Sequence, residues 1–437
     1  MKRTRESQAL RPPAFAYQGA TSGTRNAELF CEAVGLEGLA ARHGTPLYVY
    51  SSAMIRARLN AFARAFHSAP YTLCYSVKAN STLAILRLLA DEGTGFDVVS
   101  GGELQRVLRV NQKAASSVVF SGVGKTALEM ELALRSEILL FNIESASELN
   151  LLAATVARLE KQAAVAVRVN PDVSAKTHPY ISTGLHQHKF GVPIPEARML
   201  YALAAKQPYL KVAGVSVHIG SQITDVGTFQ EALERVADLI RALCKEGHEI
   251  RYIDAGGGLG IAYEGVQENF EKQIAAYARA VLTPLRGLKL HLLLEPGRSI
   301  VGPAGVLLTR VLYRKKNNGK RFLIVDAAMN DLLRPALYGA YHEIVPVNRK
   351  SRETEITDVV GPICETGDFF ARDRKLPLAS EGDLLAILDV GAYGSVLGSN
   401  YNTRGRAAEV LVDGATAKVI RRHESVQEQM KMEELAL

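Results

Sequence analysis

Four short stretches of the chain carry side chains suited to acid–base and phosphate chemistry. Lys78 ends the run Tyr71–Val77 in Tyr-Ser-Val-Lys-Ala-Asn80. An amine held at an apolar site loses its charge easily, and the neutral form is a nucleophile able to build a Schiff base. A lysine that snorkels to the surface would look the same in sequence. His218 opens His-Ile-Gly-Ser-Gln222 and suits a ligand, a base, a stacking platform or a satisfied core histidine. Gly256-Gly-Gly-Leu-Gly260 offers backbone N–H groups able to cradle a phosphate. Glycine turns without a ligand share that pattern. Glu295-Pro-Gly-Arg298 sets a carboxylate suited to a protonated ring nitrogen three residues before a guanidinium suited to a phosphate or carboxylate. A local ion pair is the plainer alternative.

Three other motifs fail on spacing. Ser121-Gly-Val-Gly-Lys-Thr126 resembles a nucleotide-binding P-loop, but that motif needs glycine where Val119 stands. A dinucleotide fingerprint starting at Gly256 would need glycine at Ile261. His186-Gln-His188 invites a metal, but no third ligand has a compelling spacing, and no metal is assigned. Cys31, Cys74, Cys244 and Cys364 are too far apart for a Cys-x-x-Cys site, which suits a reducing cytoplasm.

The elements that must position these groups follow a beat. Strand-like runs fall at Tyr71–Val77, Phe96–Val99, Ser117–Phe120, Ile138–Ile143, Ala164–Val169, Val212–Val217, Arg251–Ile253 and Lys289–Leu294. Helical patterns lie between most of them, one with Ser81 as its expected N-cap, another over 230–240. Apolar strands alternating with helices predict a parallel sheet, and eight such units have the size of a (β/α)8 barrel. Barrel active sites gather at the C-terminal strand ends. Those ends read Lys78, Ser100, Gly122, Glu144, Asn170, His218, Gly256–Gly258 and Glu295.

Beyond residue 303 the pattern turns to hairpins, around Asn317-Asn318-Gly319 and Asp413-Gly414, with a further strand at Leu384–Val390. The expected organisation is a barrel over 47–303 and a β domain over 304–425. Residues 28–46 are grouped with the β domain. Residues 1–27 and 426–437 are read as tails, the first flexible. Of the 437 residues, 47% are apolar and 22% charged, which excludes a mainly disordered or fibrous chain. No apolar run approaches the roughly 20 residues of a membrane span. The net charge of +7 is scattered, without an aromatic-laced basic stripe, so a small anion is a better partner than nucleic acid.

A lysine, a phosphate loop, a ring-facing histidine and a glutamate below a pyridine nitrogen together fit one cofactor, pyridoxal 5'-phosphate. Over roughly residues 28–425 the chain resembles the diaminopimelate decarboxylases. These belong to the fold-type III pyridoxal phosphate enzymes, with ornithine and arginine decarboxylases and alanine racemase. The matching motifs are Tyr-Ser-Val-Lys-Ala-Asn80, Gly95-Phe-Asp-Val-Val-Ser-Gly-Gly-Glu103, His178-Pro-Tyr-Ile-Ser-Thr-Gly184, Lys189-Phe-Gly191, His-Ile-Gly-Ser-Gln222, Gly-Gly-Gly-Leu-Gly260 and Glu-Pro-Gly-Arg298. Arg334-Pro-Ala-Leu-Tyr338, Cys364-Glu-Thr-Gly-Asp368 and Gly391-Ala-Tyr393 continue the series.

The resemblance implies decarboxylation of meso-2,6-diaminopimelate to lysine and CO2, the last step of lysine synthesis. It implies that Lys78 bonds the cofactor with Asp97 supporting it, that His218 stacks on the ring, and that Glu295 pairs with the ring nitrogen. Ser221, Gly257, Gly258, Pro296, Gly297, Arg298 and Tyr393 would surround the phosphate end. Arg298, Arg334, Tyr338, Glu365 and Tyr393 would read the substrate, and Cys364 would return the proton. Burying Glu365 and Asp368 unpaired beside Cys364 would be costly, which argues against a plain buried cysteine there. A homodimer with a composite site is also implied. A sister decarboxylase of another basic amino acid, an amino-acid racemase and a non-catalytic binding homologue are the alternatives. One departure stands out: where the family leads one to expect proline, Tyr401–Arg406 carries Gly405, a change expected to loosen the loop.

Overall fold

The structure is a computed structural model that describes residues 14–19, 27–173, 189–264, 269–349 and 353–434. The motif 178–184 and the pair His186 and His188 lie outside the described residues. The chain divides into two units, Arg58–Ile261 with Glu271–Ser299, and Met1–Ala57 with Ala262–Phe270 and Ile300–Leu437.

The first unit is the barrel. Its eight strands are Tyr71–Ser76, Gly95–Val98, Val118–Phe120, Leu140–Ile143, Ala163–Asn170, Leu210–Val217, Tyr252–Asp254 and His291–Leu294. Each pairs in parallel with the next, and the eighth closes on the first. Cys74, Val119, Leu140, Ala166, Ala213 and Leu293, from six of these strands, form one buried cluster. Continuous apolar runs give strands buried on both faces, as a parallel sheet under helices requires.

Helix starts are fixed by short polar side chains. Ser100 accepts from the Glu103 N–H, while Glu103 reaches back to the Val99 N–H at 2.8 Å. Thr126 and Glu129 form a capping box for the helix Ala127–Arg135. Lys125 is buried and donates to the carbonyls of Gly122 and Asn142, both at 2.7 Å, and to Glu148. The P-loop-like lysine and threonine thus serve the fold. The helix Leu83–Asp91 begins one residue later than expected, after Thr82 rather than Ser81, and the Thr82 N–H is satisfied by Asn80 Oδ1 at 3.1 Å.

The second unit is built on a mixed sheet. Its order runs Phe369–Pro377, Thr354–Val360, Lys320–Val325, Gly305–Asn317, Leu47–Ser51, Ala408–Asp413, Thr416–Arg421, with Leu384–Ile387 and Ile344–Pro346 joined to it. Two boundaries differ from the sequence reading. Leu47–Ser51, expected to open the barrel, runs antiparallel to Gly305–Leu308 and parallel to Ala408–Val412. It is buried along its whole length, so period alone could not say which sheet it joins. Within the expected N-terminal tail, Phe15–Gln18 pairs with Glu28–Cys31. Phe15, Leu29, Leu36 and Leu39 share a core with Val306, Leu308 and Val410.

Gly405 does not loosen its loop. A Cβ there would lie 2.0 Å from the Glu424 carbonyl oxygen, so only glycine lets the following segment approach. Glu424 bonds Asn400 Nδ2 at 2.5 Å and the Arg406 N–H at 3.2 Å, and Ser425 then caps the helix Val426–Met430. Residues 426–430, expected as part of a tail, form that helix.

Candidate active site

A layer of polar side chains crosses the barrel at the C-terminal strand ends. Ser76 ends the first strand, and its hydroxyl lies 2.8 Å from Asp97 Oδ2 and 2.9 Å from the Glu295 carbonyl oxygen. Asp97, on the second strand and fully buried, pairs with Lys78 Nζ at 2.8 Å. Its other oxygen, Oδ1, is buried without a hydrogen-bond partner among the described residues. Ser121 follows the third strand and bonds Glu295 Oε1 at 3.2 Å. Asn142, on the fourth strand, donates to Ser121 Oγ at 2.9 Å and to Asp254 Oδ2 at 2.6 Å. Asp254, on the seventh, also accepts from Ser216 of the sixth at 2.9 Å and from the Gly256 N–H at 2.9 Å. On the fifth strand Arg168 pairs with Glu144 at 3.0 Å.

The electrostatics follow from burial. Burial, then the Asp254 and Asp97 carboxylates, hold the Glu295 carboxyl well above its usual range. Burial raises Asp254 too, opposed by its hydrogen bonds from Gly256 and Asn142. Glu295 therefore favours its protonated form. Burial, with Arg168 and Lys78 nearby, holds His218 well below its usual value. Its Nδ1 accepts the Gly257 N–H at 3.1 Å, so the neutral ring carries hydrogen on Nε2. Lys78 meets the Asp97 carboxylate rather than the apolar site expected from sequence.

The phosphate-type groups are also close together. Arg298 Nη2 lies 3.1 Å from Ser221 Oγ. A Cβ on Gly257 would sit 2.1 Å from the Glu295 carbonyl oxygen, so that glycine is required by the neighbouring backbone itself. The Pro296 carbonyl accepts the Ser76 N–H at 3.2 Å, tying the Pro296–Gly297 turn to the first strand. The sequence-predicted residues Lys78, Asp97, His218, Ser221, Gly257, Gly258, Glu295, Pro296, Gly297 and Arg298 all lie in this unit.

The remaining candidates lie in the β unit. Arg334 and Tyr338 bound the helix Arg334–Tyr338, with Arg334 buried. Cys364 and Glu365 occupy the turn between Thr354–Val360 and Phe369–Pro377, and both are exposed. The expected burial cost therefore falls on Asp368 alone, which is buried and accepts the N–H groups of Met329 and Ile363, both at 2.7 Å. The Cys364 N–H bonds Asn402 Oδ1 at 3.1 Å. Asn402 and Tyr393 both have φ of 55°, a strained setting for residues other than glycine and one common at functional sites. Sequence reasoning missed Ser76, Ser121, Asn142, Ser216 and Asp254. Their signal was a polar residue interrupting or ending an apolar strand.

A buried orphan carboxylate oxygen, a protonated glutamate and a lysine amine in one barrel mouth fit a pyridine-based cofactor. Residues 52–302 match the family model of the pyridoxal-dependent decarboxylases, pyridoxal binding domain, which sets the class. The diaminopimelate decarboxylase of Pseudomonas aeruginosa is 53% identical over 408 residues, covering 93% of this chain and 97% of that one. A crystal structure of Helicobacter pylori diaminopimelate decarboxylase complexed with L-lysine is 43% identical, with a TM-score of 0.88, and covers 92% of this chain and 100% of that one. The M. jannaschii enzyme in co-complex with L-lysine is 38% identical, with a TM-score of 0.89 and 97% and 98% coverage. The chain belongs to the diaminopimelate decarboxylase family.

Proposed function

We propose that this chain is a carboxy-lyase that converts meso-2,6-diaminopimelate to L-lysine and CO2, the last step of lysine synthesis, with pyridoxal 5'-phosphate as cofactor. The observation that carries the reading is the Lys78–Asp97 pair beside a protonated Glu295, in a chain half identical to named diaminopimelate decarboxylases. Pyridoxal phosphate, when bound, supplies an electron sink for the electron pair left behind when CO2 departs.

The residues have distinct tasks. Lys78 holds the cofactor, and Asp97 orients the amine. His218, neutral and hydrogen-bonded to Gly257, offers a flat face to the ring without adding charge. Glu295 shares its proton with the ring nitrogen. Ser221, Gly257, Gly258, Pro296, Gly297, Arg298 and Tyr393 enclose the phosphate. Arg298, Arg334, Tyr338, Glu365 and Tyr393 bind the substrate, with Glu365 taking the distal ammonium and the arginines its carboxylates. Cys364 gives a proton from Sγ to the carbon that has lost CO2. Exposure of Cys364 and Glu365 supports a homodimer in which a second copy contributes these two residues to the barrel site. Cys31, Cys74, Cys244 and Cys364 are free thiols, which supports a reducing, cytoplasmic setting. Among the described residues no helix is long and apolar enough to cross a membrane.

The purified protein should show a visible absorption band that borohydride removes. It should release CO2 from diaminopimelate in preference to lysine, ornithine and arginine. No band overturns the cofactor assignment, and CO2 from another amino acid overturns the substrate.

A further inference from the structure

Arg334 is buried, and a buried guanidinium must place its five donors. One of them, on Nη1, lies 2.7 Å from Nε2 of His342, a fully buried residue. The other ring nitrogen, Nδ1, lies 2.8 Å from the Leu388 carbonyl oxygen. A carbonyl only accepts and a guanidinium only donates. Nδ1 therefore carries the hydrogen and Nε2 the lone pair, so the imidazole is neutral with its tautomer set from both sides.

The ring is itself held. The Leu388 N–H bonds the Glu343 carbonyl at 2.9 Å, and Arg374 Nη1 donates to the His342 carbonyl at 3.1 Å. Tyr263 covers the pair: its ring centre lies 4.5 Å from the guanidinium carbon of Arg334 and 5.1 Å, edge-on, from the His342 ring. A carboxylate in the place of His342 would neutralise Arg334 and compete with any incoming carboxylate. A neutral acceptor and an aromatic face orient the guanidinium without bringing a carboxylate of their own.

We propose that His342 is a positioning residue for substrate selection, the neutral acceptor that, with Tyr263, aims the Arg334 guanidinium at the substrate's distal carboxylate. The inference rests on the placement of Arg334 in the substrate site proposed above.

The test compares His342→Asn, whose amide keeps the donor toward Leu388 but falls short of Arg334, with His342→Gln, whose oxygen reaches toward the Nε2 position. Arg334→Ala is the control. For each holoenzyme, kcat and KM for diaminopimelate are measured with the inhibition constants of L-lysine, which keeps the distal carboxylate, and 1,5-diaminopentane, which has none. His342→Asn should raise KM and the lysine constant at least about tenfold, the scale of one hydrogen bond to a charged group. It should leave kcat and the diaminopentane constant within about threefold, and His342→Gln should recover most of the loss. If His342→Asn does not fold, His342→Phe carries the same expectation. Equal weakening of lysine and diaminopentane, or no change in KM, overturns the proposal. An unchanged lysine constant in Arg334→Ala overturns the substrate-site reading instead. Weakening in Arg334→Ala but not in His342→Asn leaves that reading intact and removes His342 from it.

Discussion

Glu295 and Asp254 are two buried carboxyls at the ends of adjacent barrel strands, and the Asp254 carboxylate adds to burial in holding Glu295 well above its usual range. Asp254 is the anchored member, fixed by Asn142, Ser216 and the Gly256 N–H. Glu295→Gln keeps the shape but cannot exchange a proton with a ring nitrogen. Its kcat should fall about 10²- to 10⁴-fold, the range of a lost proton-transfer partner. The borohydride-sensitive band should persist, because Lys78 is untouched. A variant with full activity would remove Glu295 from the chemistry.

Cys364 is exposed, so Cys364→Ala should fold normally. If the thiol returns the proton, kcat falls by about 10²–10⁴ while KM changes little. Steady-state lysine formation and a thermal melt measure both sides. An unaltered kcat assigns the proton to another group.

Glu103 gives a pH test of the fold near the site. Burial raises its carboxyl to about 7, opposed by its hydrogen bond from Val99. A carboxyl whose value is raised on folding binds its proton more tightly in the native state. Its contribution is therefore complete below the unfolded value of about 4 and is lost as pH climbs toward 7. The melting temperature should decline across that window. In Glu103→Gln the decline should be shallower, and an identical slope would contradict the assignment. Asp331, raised by burial to about 7 in the β unit, adds a similar term that Asp331→Asn would remove.

Lys125 tests the discarded P-loop reading. Its amine is buried, against two carbonyls and the Glu148 carboxylate. Lys125→Met should strand that carboxylate and cost about 3–5 kcal/mol in urea unfolding. A variant as stable as the parent would reopen a ligand-binding role for the lysine.

The barrel was readable because its eight strands are apolar and interrupted by helical periods, a signal that needs no long-range information. Lys78, His218 and Glu295 were readable because each ends such a strand. The layer beneath them was not. Ser76, Asn142 and Asp254 are ordinary residue types, and only barrel closure turns their positions into one hydrogen-bonded chain. The same limit applies to Leu47–Ser51, an apolar strand whose partners lie more than 250 residues away in sequence at Gly305–Leu308. His342 and Arg334 are eight residues apart, yet their pairing depends on Leu388 fixing the imidazole.

The contact between Gly405 and Glu424 makes positions 405 and 424 a single inheritable unit. A side chain at 405 is admissible only where the backbone at 424 takes another route. It also means the carboxyl end is not a neutral handle. A purification tag or a truncation that pulls at residue 424 acts on Asn400 and Arg406, and through that loop on Asn402, which holds the main chain of Cys364.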